Sequence, residues 1–234
     1  MLQAKELPRK SGAFLWGNVD LFGNNYLQTT MLDFESMVFR RGYRQVAGID
    51  EAGRGALAGP VVAAAVILPA GLIIPGVDDS KKLSPAKREK MFDVIMETAL
   101  SVGTGFGDHL LIDRINILQA TLEAMKEAVL LLSDRPDFLL IDGISMVQIP
   151  IPQQTIKKGD SASISIAAAS IIAKVTRDRL MVEYDSRYPG YGFAEHKGYG
   201  CAAHMEAIAG LGPCEIHRKT FRGVKEHVDA VKGE

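Results

Sequence analysis

Residues 45–68 read QVAGIDEAGRGALAGPVVAAAVIL, and this stretch decides the fold. Residues 45–50 are short and apolar, and residues 60–68 are rich in Val, Ala and Ile, so both segments predict β-strands. The Gly53-Arg54-Gly55 sequence between them predicts a turn. Because these strands are followed by strands and helices in alternation, the sequence favours an α/β domain with a mixed sheet.

The rest of the chain supplies that alternation. Ser84 followed by Pro85 predicts a helix N-cap and the first helical residue. The predicted helices cover residues 85–100, a segment from Asp113 or Asn116 to about 132, and 161–184. The predicted strands cover residues 102–108, 138–141 and 154–156, the last as an edge strand. A short amphipathic helix is also expected before residue 42, because Leu27, Met31, Phe34 and Val38 follow helical spacing.

Composition bounds the class of protein. The chain has 234 residues, with 27 Lys and Arg against 28 Asp and Glu, so a net charge of −1 gives no global attraction to nucleic acid. Two cysteines cannot form a disulfide framework, which favours a reducing cytoplasm. No signal peptide or membrane-length apolar run is visible, so we expect no membrane partner.

Four carboxylates occupy positions that suit chemistry. Asp50 and Glu51 end one apolar strand, Asp142 ends another, and Asp160 precedes a long helix. Carboxylates at strand ends commonly line the rim of an α/β sheet, and several that converge would attract Mg²⁺ or Mn²⁺, which prefer oxygen ligands. Such a cluster fits two-metal phosphodiester hydrolysis, in which one ion activates water and the other stabilises the leaving oxygen.

Simpler interpretations of the same carboxylates stay open at this point. Adjacent strand residues point to opposite faces, so Asp50 and Glu51 can share a site only if the strand ends or bulges there. A single aspartate at a strand end is usually solvated or forms a turn. Asp160 alone is also compatible with the N-cap of the following helix.

Several motifs, taken together and in order, resemble the ribonuclease HII (type 2 ribonuclease H) family. They are GIDEAGRGALAGPVVA at 48–63, DSKKLS at 79–84, Asn116-Ile117 with Ala120 and Ala124-Met125, Asp142-Gly143, KGD at 158–160, AAASIIAK at 167–174, HKGYG at 196–200, and His217-Arg218 with Phe221. The resemblance covers about residues 42–222. Departures from the family pattern are Ala56 in place of a frequent Pro, Cys201 in place of Thr, and Thr220 in place of Ser.

The resemblance implies a ribonuclease H-like fold with a small C-terminal helical part. We therefore expect a leader and short helix in residues 1–41, a catalytic domain in 42–188 and a substrate-binding part in 189–234. It also implies that Asp50, Glu51, Asp142 and Asp160 are the catalytic metal ligands, with two Mn²⁺ or Mg²⁺ ions per site.

The substrates implied by the resemblance are RNA–DNA hybrids and DNA duplexes that contain ribonucleotides. The cut falls on the 5′ side of a ribonucleotide and leaves 3′-hydroxyl and 5′-phosphate ends, a reaction used in ribonucleotide excision repair and DNA replication. The Gly53-Arg54-Gly55 turn would touch the ribose 2′-hydroxyl, and Tyr199 would pack on the neighbouring sugar. A monomer is the expected state.

Basic residues supply candidates for phosphate contacts. Ser80, Lys81 and Lys82 precede a helix, whose N-terminal N–H groups add to their attraction for a phosphate. Lys174 is a further candidate substrate-binding residue. The remaining groups are Lys87 and Arg88; Lys157 and Lys158; Arg177 and Arg179; Lys197; and Arg218, Lys219 and Arg222. Each group alone is compatible with a solvated surface, as Gly53-Arg54-Gly55 alone is with an ordinary turn and Tyr199 with a core residue of the C-terminal helices.

Three other functions compete with this interpretation. Another carboxylate nuclease, such as a resolvase-like or transposase-like enzyme, would cut an all-DNA duplex, which a ribonuclease spares. A non-catalytic hybrid-binding module would not need four acidic positions. A phosphate-loop NTPase is disfavoured because no G-x-x-x-x-G-K-[ST] motif occurs.

Overall fold

The computed structural model describes residues 30–77 and 83–230. Five strands form one sheet: β1 (Val46–Ala52), β2 (Val61–Ile67), β3 (Ser101–Gly107), β4 (Phe138–Asp142) and β5 (Gln153–Ile156). The helices are α1 (Asp33–Arg40), α2 (Pro85–Thr98), α3 (His109–Leu130), α4 (Ile164–Arg187), α5 (Phe193–His196), α6 (Ala202–Leu211) and α7 (Lys225–Ala230), and a 3₁₀ turn covers Gly159–Ser161.

The sheet has the order β3-β2-β1-β4-β5 and is mixed, as the sequence predicts. The pairs β1–β2 and β2–β3 are antiparallel, whereas β1–β4 and β4–β5 are parallel. The central strand β1 and its parallel neighbour β4 therefore end at the same edge of the sheet, Asp50 and Glu51 near the end of one and Asp142 at the end of the other.

Both faces of the sheet are covered, so its strands are apolar throughout. Ala64 and Val66 of β2 pack in the core beneath α4 and α2, while Ala63 and Ala65, which point to the other face, pack in the core beneath α3. This alternation is the two-residue period of a strand, and it explains why β2 reads as a continuous apolar run.

Close approach of α4 to the sheet depends on Gly48 in β1. A Cβ atom at this position would overlap the backbone carbonyl group of Ser165 in the first turn of α4. The absence of a side chain at Gly48 therefore sets the depth at which the N-terminal end of α4 lies on the sheet.

Helices at both ends of the chain pack against this core. Helix α1 is held by the buried Glu35, whose carboxylate accepts hydrogen bonds from Ser163 (2.6 Å) and from the backbone N–H of Ser165 (3.1 Å). The C-terminal segment is joined to the stretch after β1 by two isolated bridges, Ala56 with Tyr199 and Ala58 with His217. Within the described residues, no helix is both long enough and apolar enough to cross a membrane.

Two element boundaries differ from the sequence-based expectations. β1 continues through Glu51 to Ala52, with regular pairing to β2, instead of ending or bulging at Asp50. Helix α3 begins at His109, earlier than predicted, but Asn116 has non-helical dihedral angles and its side chain accepts a hydrogen bond from Gln119 N–H, so it starts the second part of that helix.

The interpretation of Asp160 as a helix N-cap is wrong. Ser163 caps α4, because its hydroxyl accepts a hydrogen bond from Ile166 N–H, and Asp160 lies in the preceding 3₁₀ turn. Residues 1–29, which include Leu27 of the expected helix and most of the expected leader, lie outside the described residues.

Replacing Gly48 with Ala should destabilise the protein by about 1–3 kcal/mol, since the added methyl group forces β1 and α4 apart. Gly210→Ala in α6 is the matched control, because a Cβ there meets no atom within 4 Å. The control should gain about 0.5–1 kcal/mol from the lower entropy of its unfolded state. Urea unfolding of both variants measures the difference, and equal stability would show that the α4–β1 contact yields without cost.

Candidate active site

A cavity of about 230 Å³ lies at the carboxyl ends of β1 and β4. Strands β1 and β4, helix α4 and the loops around Gly53 and Tyr199 contribute its walls. The lining residues are Asp50, Glu51, Ala52, Gly53, Arg54, Gly55, Asp142, Ser170, Lys174 and Tyr199. This one cavity is therefore bordered by three of the four predicted metal ligands and by the whole Gly53-Arg54-Gly55 turn. The predicted substrate residues Lys174 and Tyr199 border it as well.

Asp50 is the buried centre of this site, with only 4% of its surface exposed. Its Oδ1 accepts a hydrogen bond from Glu51 N–H at 2.7 Å, and Ser170 of α4 donates a second one. Burial is the main reason that the pKa of Asp50 lies well above its ordinary value, and the negative charges of Glu51 and Asp142 raise it further. The site therefore concentrates negative charge that its hydrogen bonds only partly offset.

Glu51 reaches the same cavity although the strand does not bulge. Successive side chains of β1 still alternate, but the strand stops one residue later, at Ala52. The cavity lies around this end of the strand, so Asp50 and Glu51 border it together. The end of the strand, and not a bulge, thus removes the conflict between alternation and a shared site.

Asp142 connects the cavity to the segment that carries Asp160. Asp142 Oδ1 accepts a hydrogen bond from Gly159 N–H at 2.6 Å. Asp160 follows in the 3₁₀ turn and is 4% exposed, but it is not among the residues that line the cavity. The structure thus brings three predicted ligands to one cavity and places the fourth in the turn whose Gly159 N–H binds Asp142.

The predicted metal ligands are not already gathered into a metal-binding group. Among residues 30–77 and 83–230, no three His, Cys, Asp or Glu side chains already have the spacing of a metal-binding group. All the donor atoms that these four residues offer are carboxylate oxygens, which is the donor type that Mg²⁺ and Mn²⁺ prefer.

Positively charged and aromatic groups also line the cavity. Arg54 Nη1 lies 3.2 Å from Glu51 Oε1, and the Arg54 side chain is half-exposed. Lys174 Nζ lies 2.7 Å from Asp178 Oδ1 and 5.8 Å from the centre of the Tyr199 ring. Tyr199 is 38% exposed, so its ring offers a surface to a ligand beside the ammonium group of Lys174.

Two fully buried arginines hold the loops of the site. Arg218 donates to the carbonyl oxygens of Gly53 (2.7 Å), Arg54 (2.8 Å) and Gly59 (3.0 Å). Arg177 donates to those of Pro60 (2.9 Å), Ala58 (3.0 Å) and Lys197 (2.9 Å). Burial, followed by the positive charge of Arg177, lowers the pKa of Arg218 to about 9, so its guanidinium remains charged at neutral pH.

Arg218 also determines which way the Gly53-Arg54-Gly55 turn faces. A trans peptide unit holds its C=O and N–H groups on opposite sides. Because Arg218 takes the carbonyl oxygens of Gly53 and Arg54, the N–H groups of Arg54 and Gly55 point away from the protein interior. Gly53 has a φ of +94°, and a Cβ atom there would collide with the Arg177 side chain, so glycine is required for this conformation.

Two of the basic residues lie elsewhere than the sequence predicts, and one residue that binds Asp50 is not predicted. The grouping of Arg177 and Arg218 with candidate groove residues is wrong, because both are fully buried and bind backbone instead of facing a groove. Ser170, which hydrogen-bonds Asp50, is not singled out by the sequence, although its position among the small residues of α4 is a visible signal. Ser80, Lys81 and Lys82 lie outside the described residues.

Comparison with known proteins gives one consistent family. A family model described as Ribonuclease HII matches residues 47–224, which is more than half of the chain. The chain is 73% identical over 201 residues to a Ribonuclease HII from Geobacter sulfurreducens, covering 86% of this chain and 93% of that relative.

Solved structures agree on the fold. The ribonuclease H2 of Pyrococcus horikoshii OT3 superposes with a TM-score of 0.68 at 26% identity, covering 81% of this chain and 100% of that one. A ribonuclease HIII, Bst-RNase HIII, whose structure was solved in complex with Mn²⁺, gives a TM-score of 0.62 at 21% identity, covering 82% and 71%. At that identity the second likeness concerns the fold alone.

Replacing Arg218 with Lys should cost about 2–4 kcal/mol of stability, because an ammonium group cannot bind three carbonyl oxygens in the planar arrangement of a guanidinium. Arg222→Lys, an exposed position on the same segment, should change stability by less than about 0.5 kcal/mol. Chemical denaturation of the two variants tests this. If they prove equally stable, Arg218 is not what holds the turn.

Proposed function

The chain belongs to the ribonuclease HII family of metal-dependent endoribonucleases, and from that premise we propose that it cuts the RNA strand of RNA–DNA hybrids and incises duplex DNA 5′ of a single embedded ribonucleotide. The observation that carries the proposal is the shared cavity, in which Asp50, Glu51 and Asp142 face the Gly53-Arg54-Gly55 turn and Tyr199. Acidic groups for the chemistry and a recognition surface for ribose are thus adjacent.

We assign the metal ligands to Asp50, Glu51, Asp142 and Asp160. The fit rests on two features of the structure: the donors are all carboxylates, and burial together with neighbouring negative charge raises the pKa of Asp50. Such a site is more stable when a cation is bound, because the cation offsets the repulsion. Two Mn²⁺ or Mg²⁺ ions are the proposed complement.

Divalent ions in such a site activate a water molecule and neutralise charge on the leaving oxygen. The residues of this chain hold and orient the carboxylates that would bind these ions. Ser170 and the Glu51 N–H group fix the Asp50 carboxylate, and the Gly159 N–H group fixes that of Asp142. Arg54 must release Glu51 when that carboxylate takes a cation, and its guanidinium is then available to a phosphate.

Recognition of ribose is assigned to the turn and to Tyr199. The outward N–H groups of Arg54 and Gly55 are donors that fit a 2′-hydroxyl oxygen or a phosphate, and a 2′-hydroxyl is what distinguishes RNA from DNA. The half-exposed ring of Tyr199 is placed to pack on the next sugar. Preference for a ribonucleotide then follows from contacts at one nucleotide.

The duplex is proposed to extend from this cavity in both directions. Lys174 borders the cavity itself, and Ser80, Lys81 and Lys82 are proposed as further phosphate contacts. A cleft of about 570 Å³ begins at Gly55 and Gly200 and includes Arg222. In this arrangement residues 42–188 supply the chemistry and residues 189–234 bind substrate, in a monomer that serves ribonucleotide excision repair and replication in the cytoplasm.

Asp50→Asn and Asp142→Asn should each abolish metal-dependent cutting while binding of a hybrid duplex is largely kept, because the phosphate contacts remain. Mn²⁺ should raise the melting temperature of the wild-type protein and of Glu123→Gln, an exposed carboxylate on α3, but not that of either aspartate variant. A duplex with one ribonucleotide, and an all-DNA duplex as control, maps the cut. Near wild-type turnover in either aspartate variant refutes the metal site, and cutting of the DNA control refutes ribose recognition.

Tyr199→Ala should leave folding stability nearly unchanged and reduce cleavage at a single embedded ribonucleotide, whereas Tyr199→Phe, which keeps the ring, should retain much of that activity. Cleavage of single-ribonucleotide and all-RNA hybrid duplexes is compared beside thermal melting. If Tyr199 is instead a core residue, the Ala variant loses on the order of 3 kcal/mol and both activities fall equally.

A further inference from the structure

Two buried histidines in the C-terminal part connect Cys214 to Tyr199. Cys214 N–H donates to Nδ1 of His217 at 3.0 Å, Nε2 of His217 lies 3.0 Å from Nε2 of His204, and Nδ1 of His204 lies 3.0 Å from the carbonyl oxygen of Tyr199. Both imidazoles are fully buried. We call this chain of four groups the histidine relay.

The ends of the histidine relay fix the position of every proton within it. A backbone N–H can only donate, so Nδ1 of His217 is the acceptor and its Nε2 carries the proton. That proton is donated to Nε2 of His204, which leaves the proton of His204 on Nδ1. The Tyr199 carbonyl can only accept, which agrees with the direction reached from the other end.

The surroundings of the pair keep both rings neutral. Burial is the main reason that the pKa of His217 falls to about 4, and burial also lowers the pKa of His204. Four other titratable groups face the pair. Next to His217 lie Cys214, with its Sγ 3.1 Å from Nδ1, and Tyr191, with its ring centre 5.0 Å from that of the imidazole. The ring of His196 stacks on His204 at 4.4 Å between centres, and His109 is the fourth group. A charged His204 would bring two N–H groups into opposition at the centre of the relay, and a charged His217 would bring its Nδ1–H against the N–H of Cys214.

The relay ends at the residue that carries the exposed ring of the active-site cavity. Tyr199 N–H donates to the His196 carbonyl, and the Tyr199 carbonyl also accepts from Cys201 N–H at 2.9 Å. Gly198 and Gly200 flank Tyr199, so the adjacent backbone has little stiffness of its own. The hydrogen bond from His204 to the Tyr199 carbonyl therefore restricts rotation of the peptide unit between Tyr199 and Gly200, which adjoins the Cα atom that carries the ring.

We propose that His204 and His217 are positioning residues, which hold the backbone of Tyr199 through a hydrogen-bond relay of fixed direction and so aim its ring at the sugar beside the cut. The inference rests on the substrate contact proposed for Tyr199. It adds a specificity device in the C-terminal part that neither touches the substrate nor takes part in the chemistry.

Two substitutions of His204 separate the two halves of the relay. The shorter amide that His204→Asn introduces lies near the former Nδ1, so this variant keeps a donor for the Tyr199 carbonyl and loses the bond to His217. The longer amide of His204→Gln lies near the former Nε2, so this variant keeps the bond to His217 and loses the donor to Tyr199. His109→Gln, on α3 and outside the relay, controls for the loss of an imidazole.

Steady-state cleavage of a single-ribonucleotide duplex gives the first measurement. His204→Gln should raise KM roughly five- to tenfold with a smaller change in kcat, because the donor to the Tyr199 carbonyl is lost. His204→Asn keeps that donor but loses its orientation by His217, so it should raise KM only about twofold, and His109→Gln should stay near wild type. In a Tyr199→Ala background, His204→Gln should add no further loss, because its effect passes through that ring. Two outcomes would overturn the proposal. One is that the Gln and Asn variants change KM equally and lose melting temperature to the same extent. The other is that the losses of activity add in the double variant.

Nitrogen NMR of ¹⁵N-histidine-labelled protein gives a measurement that does not depend on activity. We expect the proton of His204 on Nδ1 and that of His217 on Nε2, and the opposite tautomers would refute the relay. If the tautomers are as expected but Tyr199→Ala cuts a single ribonucleotide normally, the substrate contact itself is wrong. The relay then only stabilises the fold, and the positioning role is rejected with it.

Discussion

The binding of backbone carbonyl groups by the buried guanidiniums of Arg177 and Arg218 is the interaction on which the rest of the site depends. An uncompensated charge in a protein interior costs several kcal/mol, so each guanidinium must use its donors. Together the two side chains bind six carbonyl oxygens, from the segment 53–60 and from Lys197. The turn after β1, the start of β2 and the loop before Tyr199 are thereby fixed to one another.

This constraint creates a site with opposite electrostatic requirements on its two walls. The acidic wall has carboxylates at the ends of β1 and β4, where burial and mutual repulsion favour a cation. The other wall presents backbone N–H groups, turned outward because their carbonyl partners are bound inside, together with Lys174 and the Tyr199 ring. These two sets of groups are the basis for the proposed recognition of a phosphodiester beside a ribose, because the N–H donors suit a 2′-hydroxyl and the Lys174 ammonium group suits a phosphate.

Features of the fold that depend on neighbours in sequence are predictable, whereas features that depend on distant segments are not. The apolar strands, the Ser84 cap and the mixed character of the sheet are predictable, because strand periodicity and capping depend on neighbours in sequence. The predicted end of β1 falls two residues early, since the last residues of this strand are held by pairing with β2. The N-cap of α4 is Ser163 and not Asp160, a choice that sequence alone cannot make because both residue types are good caps.

The sequence by itself determined the family and the α/β class, because ordered motifs carry that information without coordinates, and it predicted the four acidic residues as metal ligands. Only the tertiary structure decided that Asp50, Glu51 and Asp142 border one cavity, whereas Asp160 is not among its lining residues. It also decided that Arg218 lies inside the protein instead of in a groove. The physical reason is that the sequence does not distinguish a surface arginine from a buried one. Burial becomes possible only when distant segments of the chain supply carbonyl groups that bind the guanidinium.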